Sequence, residues 1–188
     1  MEIQDLEAVA ESAMALGSDY EMQDCPIARA LELLGERWTF LVIRDCFLGV
    51  SRFNDFVDHL DVPKGVLTVR LQKLVAAGIV RKRRYAARQH DYLLTQRGLS
   101  LWPILYSIAA WGDEHLAPSG GRRRIFSHVI CDNDLTSQGT CPTCNTLVPP
   151  AEVVIRNGPG AELEVRNDRV TRALDLPHRM LTPIVLDP

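Results

Sequence analysis

Apolar residues recur at helical spacing through the first 117 positions and then give way to short alternating runs. Residues 5–16 place Leu6, Val9, Ala13 and Leu16 on one helix face, closed by Gly17-Ser18-Asp19. Cys25-Pro26 opens a second helix, since proline's missing N–H has no partner at a first helical position. Ile27, Ala30, Leu31 and Leu34 form its expected buried stripe, and Gly35 marks its end. A third helix is expected from Trp38 through Leu41, Val42 and Cys46 to Leu48-Gly49. Ser51 is placed to cap a short helix over 52–60, with Phe53, Phe56, Val57 and Leu60 inward. Between Pro63 and Gly78, Leu67, Leu71 and Leu74 fall at i, i+4 and i+7, while Gly65, Thr68, Val69, Gln72 and Lys73 occupy the opposite face. Strands over 79–85 and 91–94 flank a turn at 86–90, and Thr95 is placed to cap one long helix over 98–116.

Pro118-Ser119-Gly120-Gly121 has linker composition, and β-like runs follow at 125–130, 153–156 and 163–166. The last dozen residues, with Pro177, Pro183 and Pro188, read as loosely structured. The expected organisation is an N-terminal helix or dimerisation arm over 1–24, a helical domain over 25–117, a linker over 118–124 and a small β-rich module over 125–188. Short helices, a two-stranded hairpin and a closing helix make a winged helix-turn-helix. The fold class is therefore mainly α with a small β-hairpin wing, plus a small C-terminal β-rich module.

Charge sharpens this picture. The 188 residues carry a net charge of −3, but residues 1–63 hold 13 acidic and 4 basic side chains, net −9. Residues 64–97 hold 9 basic and 1 acidic, net +8, and residues 98–188 hold 10 acidic and 8 basic, net −2. A basic block inside an acidic chain is the footprint of a local anionic partner. A helix about 10–12 Å across fits the major groove of B-DNA, about 12 Å wide. Lys64, Thr68, Val69, Gln72 and Lys73 would face base edges there, and Arg81, Lys82, Arg83, Arg84 and Arg88 would lie along phosphates or probe the minor groove. Arg70, near the leucine stripe, is read first as an internal partner of Asp55 or Asp58 and second as a phosphate contact. No run approaches the roughly 18 apolar residues of a membrane span. The acidic N-terminus is unlike an export signal, so a cytoplasmic, nucleoid-associated protein without membrane partners is expected.

Five cysteines are an odd number, which favours metal or redox chemistry over a disulfide frame. His128, Cys131, Cys141 and Cys144 form H-x2-C-x9-C-x2-C, a ligand set for a closed, structural zinc site. The alternatives are an uncoordinated remnant or a thiol pair, Cys141 and Cys144, cycling as a disulfide. Cys25, at a helix start where thiol pKa falls, is a candidate redox sensor, against a default of burial at a capping position. Cys46 reads as core.

The segments CPIARALELLGERWTFLVIRDCFLGVSRFNDF, GVLTVRLQKLVAAGIVRKR and DYLLTQRG, with AWGDEH near residue 111, resemble the HxlR-type transcriptional regulators, relatives of the MarR-like group. The resemblance covers about residues 25–115 and implies a prokaryotic DNA-binding homodimer, with terminal helices as the interface and paired half-sites as target. Cys25 occupies the position of a cysteine frequent in that family, some of whose members sense thiol-reactive agents. The family's usual Leu-Ser-Gln-Arg-Leu is here Leu67-Thr68-Val69-Arg70-Leu71, so base preference does not transfer. The hairpin tip lacks the usual proline, reading Ala86-Ala87-Arg88-Gln89-His90.

The resulting expectation is a dimeric regulator, a repressor, answering to a small-molecule or oxidant effector. The alternative is a thiol- or metal-responsive sensor acting through a protein partner. A metalloenzyme is weighed down because a four-ligand site leaves no open position, and no catalytic spacing stands out. Asn157-Gly158-Pro159-Gly160 is a turn rather than a phosphate loop.

Overall fold

The computed structural model describes residues 20–87, 89–117, 120–162, 166–184 and 186. The expected first helix over 5–16 lies outside them. Two compact units divide at Arg37/Trp38. The first contains α1 (Pro26–Leu34), with Cys25 as extended N-cap, Pro26 at its start and Gly35 as C-cap. Ala28 and Leu34 are its buried residues, whereas Ile27, Ala30 and Leu31 of the expected stripe are exposed within this chain.

The second unit opens with α2 (Thr39–Phe47), α3 (Phe53–Leu60) and α4 (Lys64–Ala76). Ser51 does not cap α3: Arg52 is the N-cap residue, and the Ser51 hydroxyl donates to Asp91 Oδ1 at 3.3 Å. A carboxylate brought in from 40 residues away outcompetes the local backbone donors. Val42, Ile43 and Phe47 of α2, Phe56 of α3 and Leu67, Leu71 and Leu74 of α4 are at most 1% exposed and form the core. Asp45 ties α2 to α3: its wholly buried carboxylate accepts from Arg44 Nε and Nη2 at 2.9 and 2.7 Å and from His59 Nδ1 at 2.8 Å.

After α4, strands β1 (Val80–Ala86) and β2 (Gln89–Leu94) pair antiparallel from Val80–Leu94 to Ala86–Gln89. The expected single helix over 98–116 is two, α5 (Gln96–Leu99) and α6 (Trp102–Leu116). Pro103 lacks the N–H that would donate to Leu99, so the helix restarts there. Thr95 caps as expected, but on α5, accepting from Gly98 N–H at 3.2 Å.

The chain beyond residue 117 packs within the same unit as the winged helix. Gly120 and Gly121 of the expected linker run against Gly158–Gly160, and Arg124 already begins a strand. Strands β3 (Arg124–His128), β6 (Val153–Asn157) and β7 (His178–Arg179) form an antiparallel sheet in the order β3-β6-β7, while β4 (Thr140–Cys141) and β5 (Thr146–Leu147) form a small hairpin. Of the expected strand over 163–166, residues 163–165 lie outside the description, and Arg166 is irregular. The tail is not loose throughout: β7 pairs with β6, Met180 is buried, and Leu181 N–H donates to Phe47 O at 2.7 Å. Gly49, at φ +87°, permits this approach, because a Cβ there would stand 1.8 Å from Thr182 O. Helix α7 (Arg169–Ala173) packs on α3, and Arg169 holds Asp55 at 3.1 Å.

Candidate functional site

Helix α4 presents two faces of opposite chemistry. Its three leucines point into the core, and Lys64, Thr68, Val69, Gln72 and Lys73 are all exposed on the other side. Thr68 Oγ1 donates to Lys64 O at 2.8 Å, which parks the hydroxyl on its own helix. Val69 is an exposed apolar residue flanked by polar ones, suited to a thymine methyl.

The hairpin carries its cations on an exposed strand, Arg81 to Arg84, but they are not equivalent. Arg83 Nη2 donates to Asp91 Oδ2 at 2.8 Å, so part of its charge is answered within the chain. Arg84 folds back onto the turn, donating from Nε to Ala86 O at 3.1 Å and from Nη2 to Ala87 O at 2.6 Å. Lys82 Nζ stands over the Tyr92 ring at 5.7 Å, and the Arg52 guanidinium over the Tyr85 ring at 5.0 Å. Arg88 lies outside the described residues. Sequence reasoning did not place Arg52 in this surface; its signal is the aromatic Tyr85 among the strand's cations. Asp55, one of the two acids considered for Arg70, is taken by Arg169.

The four C-terminal ligand candidates meet. His128 ends β3, Cys131 follows in a turn, Cys141 ends β4, and Cys144 lies in the next turn, closed by Asn145 at φ 50°. All four ligand atoms fall within 4.8 Å of one another. The sulfurs of Cys131 and Cys141 are 3.3 Å apart and those of Cys144 and Cys131 3.7 Å, while His128 Nδ1 is 3.4 and 3.5 Å from Cys131 and Cys144. A tetrahedron with metal–sulfur bonds of about 2.3 Å and metal–nitrogen bonds of about 2.0 Å has edges of roughly 3.5–3.8 Å, so the cluster has the right size for one ion. On its far side His128 Nε2 faces Glu152 Oε2 at 3.3 Å, the orienting carboxylate that a ligating imidazole commonly has and that the sequence did not flag.

Electrostatics favour anionic sulfur at Cys131 and Cys141 but not at Cys144. The Asn133 backbone N–H and side-chain amide pull the Cys131 thiol down to about 6. The Cys144 N–H pulls Cys141 down, whereas hydrogen bonding with Cys131 and Cys141 pushes Cys144 up to about 11. The cluster is clamped to α6, since Trp102 Nε1 donates to Val148 O at 3.2 Å and Tyr106 OH to Thr136 O at 2.8 Å. Phe47, Trp102, Tyr106 and Phe126 stack in a run with centroids 5.3–6.1 Å apart, joining helices to sheet. Elsewhere, the Ala28 and Ile27 backbone N–H groups lower the half-buried Cys25 thiol at the start of α1, and burial raises Cys46.

The family model for HxlR-like helix-turn-helix proteins matches residues 33–120. The HTH-type transcriptional regulators Rv3095 of Mycobacterium tuberculosis and Mb3122 of Mycobacterium bovis are each 34% identical over 136 residues, covering 71% of this chain and 86% of theirs. The chain belongs to the HxlR-like helix-turn-helix family. Among solved structures, that of PA1607, a candidate transcription factor, aligns with a TM-score of 0.50 and 29% identity over 78% of this chain and 95% of its own. This HxlR-like chain is thus a DNA-binding transcription regulator of the winged helix-turn-helix type, and its two-faced α4 and cationic hairpin are in keeping with that. Among the described residues no helix is long and apolar enough to cross a membrane.

Proposed function

We propose that the chain is a sequence-specific repressor that binds DNA as a homodimer, with α4 in the major groove and the β1–β2 hairpin on the flanking backbone. The observation that carries this reading is the division of α4 into a leucine face at most 1% exposed and an exposed face of Lys64, Thr68, Val69, Gln72 and Lys73. Those five residues read the bases or position the helix. Arg81, Arg83, Arg84 and Arg88 bind phosphate, with Lys82 and Arg52 beside them. The stripe Ile104, Ile108 and Trp111 on α6, exposed at i, i+4 and i+7, supplies a face for a second copy, and the N-terminal segment over 1–24 serves as a further dimerisation arm. Bound in this way near a promoter, the dimer blocks polymerase.

His128, Cys131, Cys141 and Cys144 hold a structural zinc ion in this reading, supported by the donor set and its spacing. When bound, the ion cross-links β3, β4 and the turns that follow each, and it leaves no open position for catalysis, in keeping with a non-enzymatic role. Glu152 orients His128, and Asn133 holds the Cys131 loop. The lowered Cys25 thiol favours a second reading, in which oxidation at α1 modulates binding or a protein contact.

The test is fluorescence anisotropy of the protein with DNA from upstream of its own gene, against a scrambled duplex, at two salt concentrations. Preference of about 1,000-fold or more with a steep salt slope is expected. Arg81→Ala and Lys82→Ala should weaken both duplexes and flatten the slope, whereas Thr68→Ala and Gln72→Ala should relax preference at single base pairs. Equal effects of all four on both duplexes would contradict the assignment.

A further inference from the structure

Between α2, α6 and the β3-β6-β7 sheet lies a cavity of about 580 Å³. Its inner wall is apolar: Leu48, Trp102, Ile155, Leu174 and Met180 are buried and line it. Cavities of roughly 300–1,000 Å³ with apolar walls and a few convergent polar groups are the usual form of small-molecule sites. The charged groups here are mostly of one sign: Arg44, Arg123 and Arg124 line the cavity, against Asp113 as the lining carboxylate. Asp45 answers part of the Arg44 charge and Glu162 stands 3.6 Å from Arg123, but the lining itself holds three guanidinium groups to one carboxylate.

Arg124 is fixed at the wall, its Nη1 donating to Leu174 O at 3.0 Å and to Asn157 Oδ1. Burial lowers its pKa, with Asp175 opposing and Arg44 adding to the shift, so this guanidinium sits in a poorly solvated place near a second one. A carboxylate is the anion whose two oxygens match the planar fork of a guanidinium.

We propose that this cavity binds a hydrophobic monocarboxylate, with its carboxylate at Arg44 and Arg124 and its apolar body against Trp102, Leu174 and Met180. The occupant bridges α2 to α6 and the sheet. Its action as an effector rests on the DNA-binding reading above: by setting the spacing of α2 from α6, it changes operator affinity.

The probe pair is phenylbutyrate and phenylbutanol, alike in body and different in charge, titrated into the full chain while tryptophan emission is followed, since Trp102 lines the cavity. The acid is expected to bind saturably and about tenfold more tightly than the alcohol, and Arg124→Gln should abolish that preference. Gly112 also lines the cavity, and a Cβ built on it meets nothing within 4 Å. Gly112→Phe therefore fills the space, and it should remove binding while the unfolding midpoint is held. Equal affinity for acid and alcohol, or undiminished binding in a folded Gly112→Phe variant, overturns the site. Saturating phenylbutyrate should also shift operator affinity at least about fivefold in the anisotropy assay. Ligand binding without that shift overturns the effector role. Failure of the ligand-free protein to select its operator strikes the DNA-binding reading instead and leaves the cavity standing.

Discussion

Removing the Asp45 carboxylate should reveal what holds the two helices before α4 together. The group is wholly buried, yet it satisfies two cationic or polar partners, Arg44 with two nitrogens and His59 with one. Truncating one member of a buried pair costs about 3–5 kcal/mol, because the remaining charge is left unanswered. Arg44 keeps 38% of its side chain exposed and can turn to water, but His59, at 10%, cannot. The lower end applies, and Asp45→Ala should destabilise by about 3 kcal/mol. Asp45→Asn retains an acceptor for Arg44 and a hydrogen-bonding group for the His59 ring, so it should cost about 1 kcal/mol. Urea unfolding followed by circular dichroism measures both, with an unchanged slope showing that stability alone has moved. If Asp45→Ala left the protein within about 0.5 kcal/mol of the parent, or Asp45→Asn cost as much as Asp45→Ala, the carboxylate would not be the tie between α2 and α3.

Gly98→Ala should cost about 2–3 kcal/mol in the same assay, since its Cβ would stand 2.3 Å from Ile79 O, a carbonyl held by Thr95 N–H at 3.0 Å; a neutral result would mean that α5 can move freely. His178 has a pKa lowered mainly by burial, so its neutral form is favoured on folding. Its contribution is full above about pH 6.5 and is lost as pH falls through the lowered folded value; thermal unfolding at pH 7.5 and 5.5 should show a steeper loss for the parent than for His178→Gln. Chelation, or Cys131→Ser, should lower the unfolding temperature and release about one zinc per chain by elemental analysis; a metal-free preparation of unchanged stability would refute the structural ion.

The local signals were legible in the sequence, and the tertiary ones were not. The leucine periodicity gave α4 and its buried face, Gly78 its end and Thr95 a cap, because each depends on neighbours within four residues. The C-x2-C knuckle and its distant histidine and cysteine also announced a cluster, since ligand chemistry is rare enough to stand out. What the sequence did not show depends on distant partners. Ser51 turned to Asp91, Arg83 gained the same carboxylate as a partner, and the tail acquired order only through β6 and Phe47. Glu152 carried no signal beyond being an acid after two prolines, and Asp45 looked like any polar residue on a helix of mixed pattern. The single long helix failed on a local rule that was available, the proline at position 103.

The tail's contact with Phe47 and the grip of Arg169 on Asp55 also govern the order in which this protein can be finished during synthesis. The Arg169–Asp55 pair spans 114 residues. The helices of the winged-helix segment emerge early from a ribosome, but the surfaces around Gly49, Asp55 and Trp102 wait for chain made much later. Long-range closure of this kind is slow, and the waiting surface is apolar. A nascent chain stalled after α6 would therefore leave the surface around Trp102 uncovered until the residues that pack on it had been made.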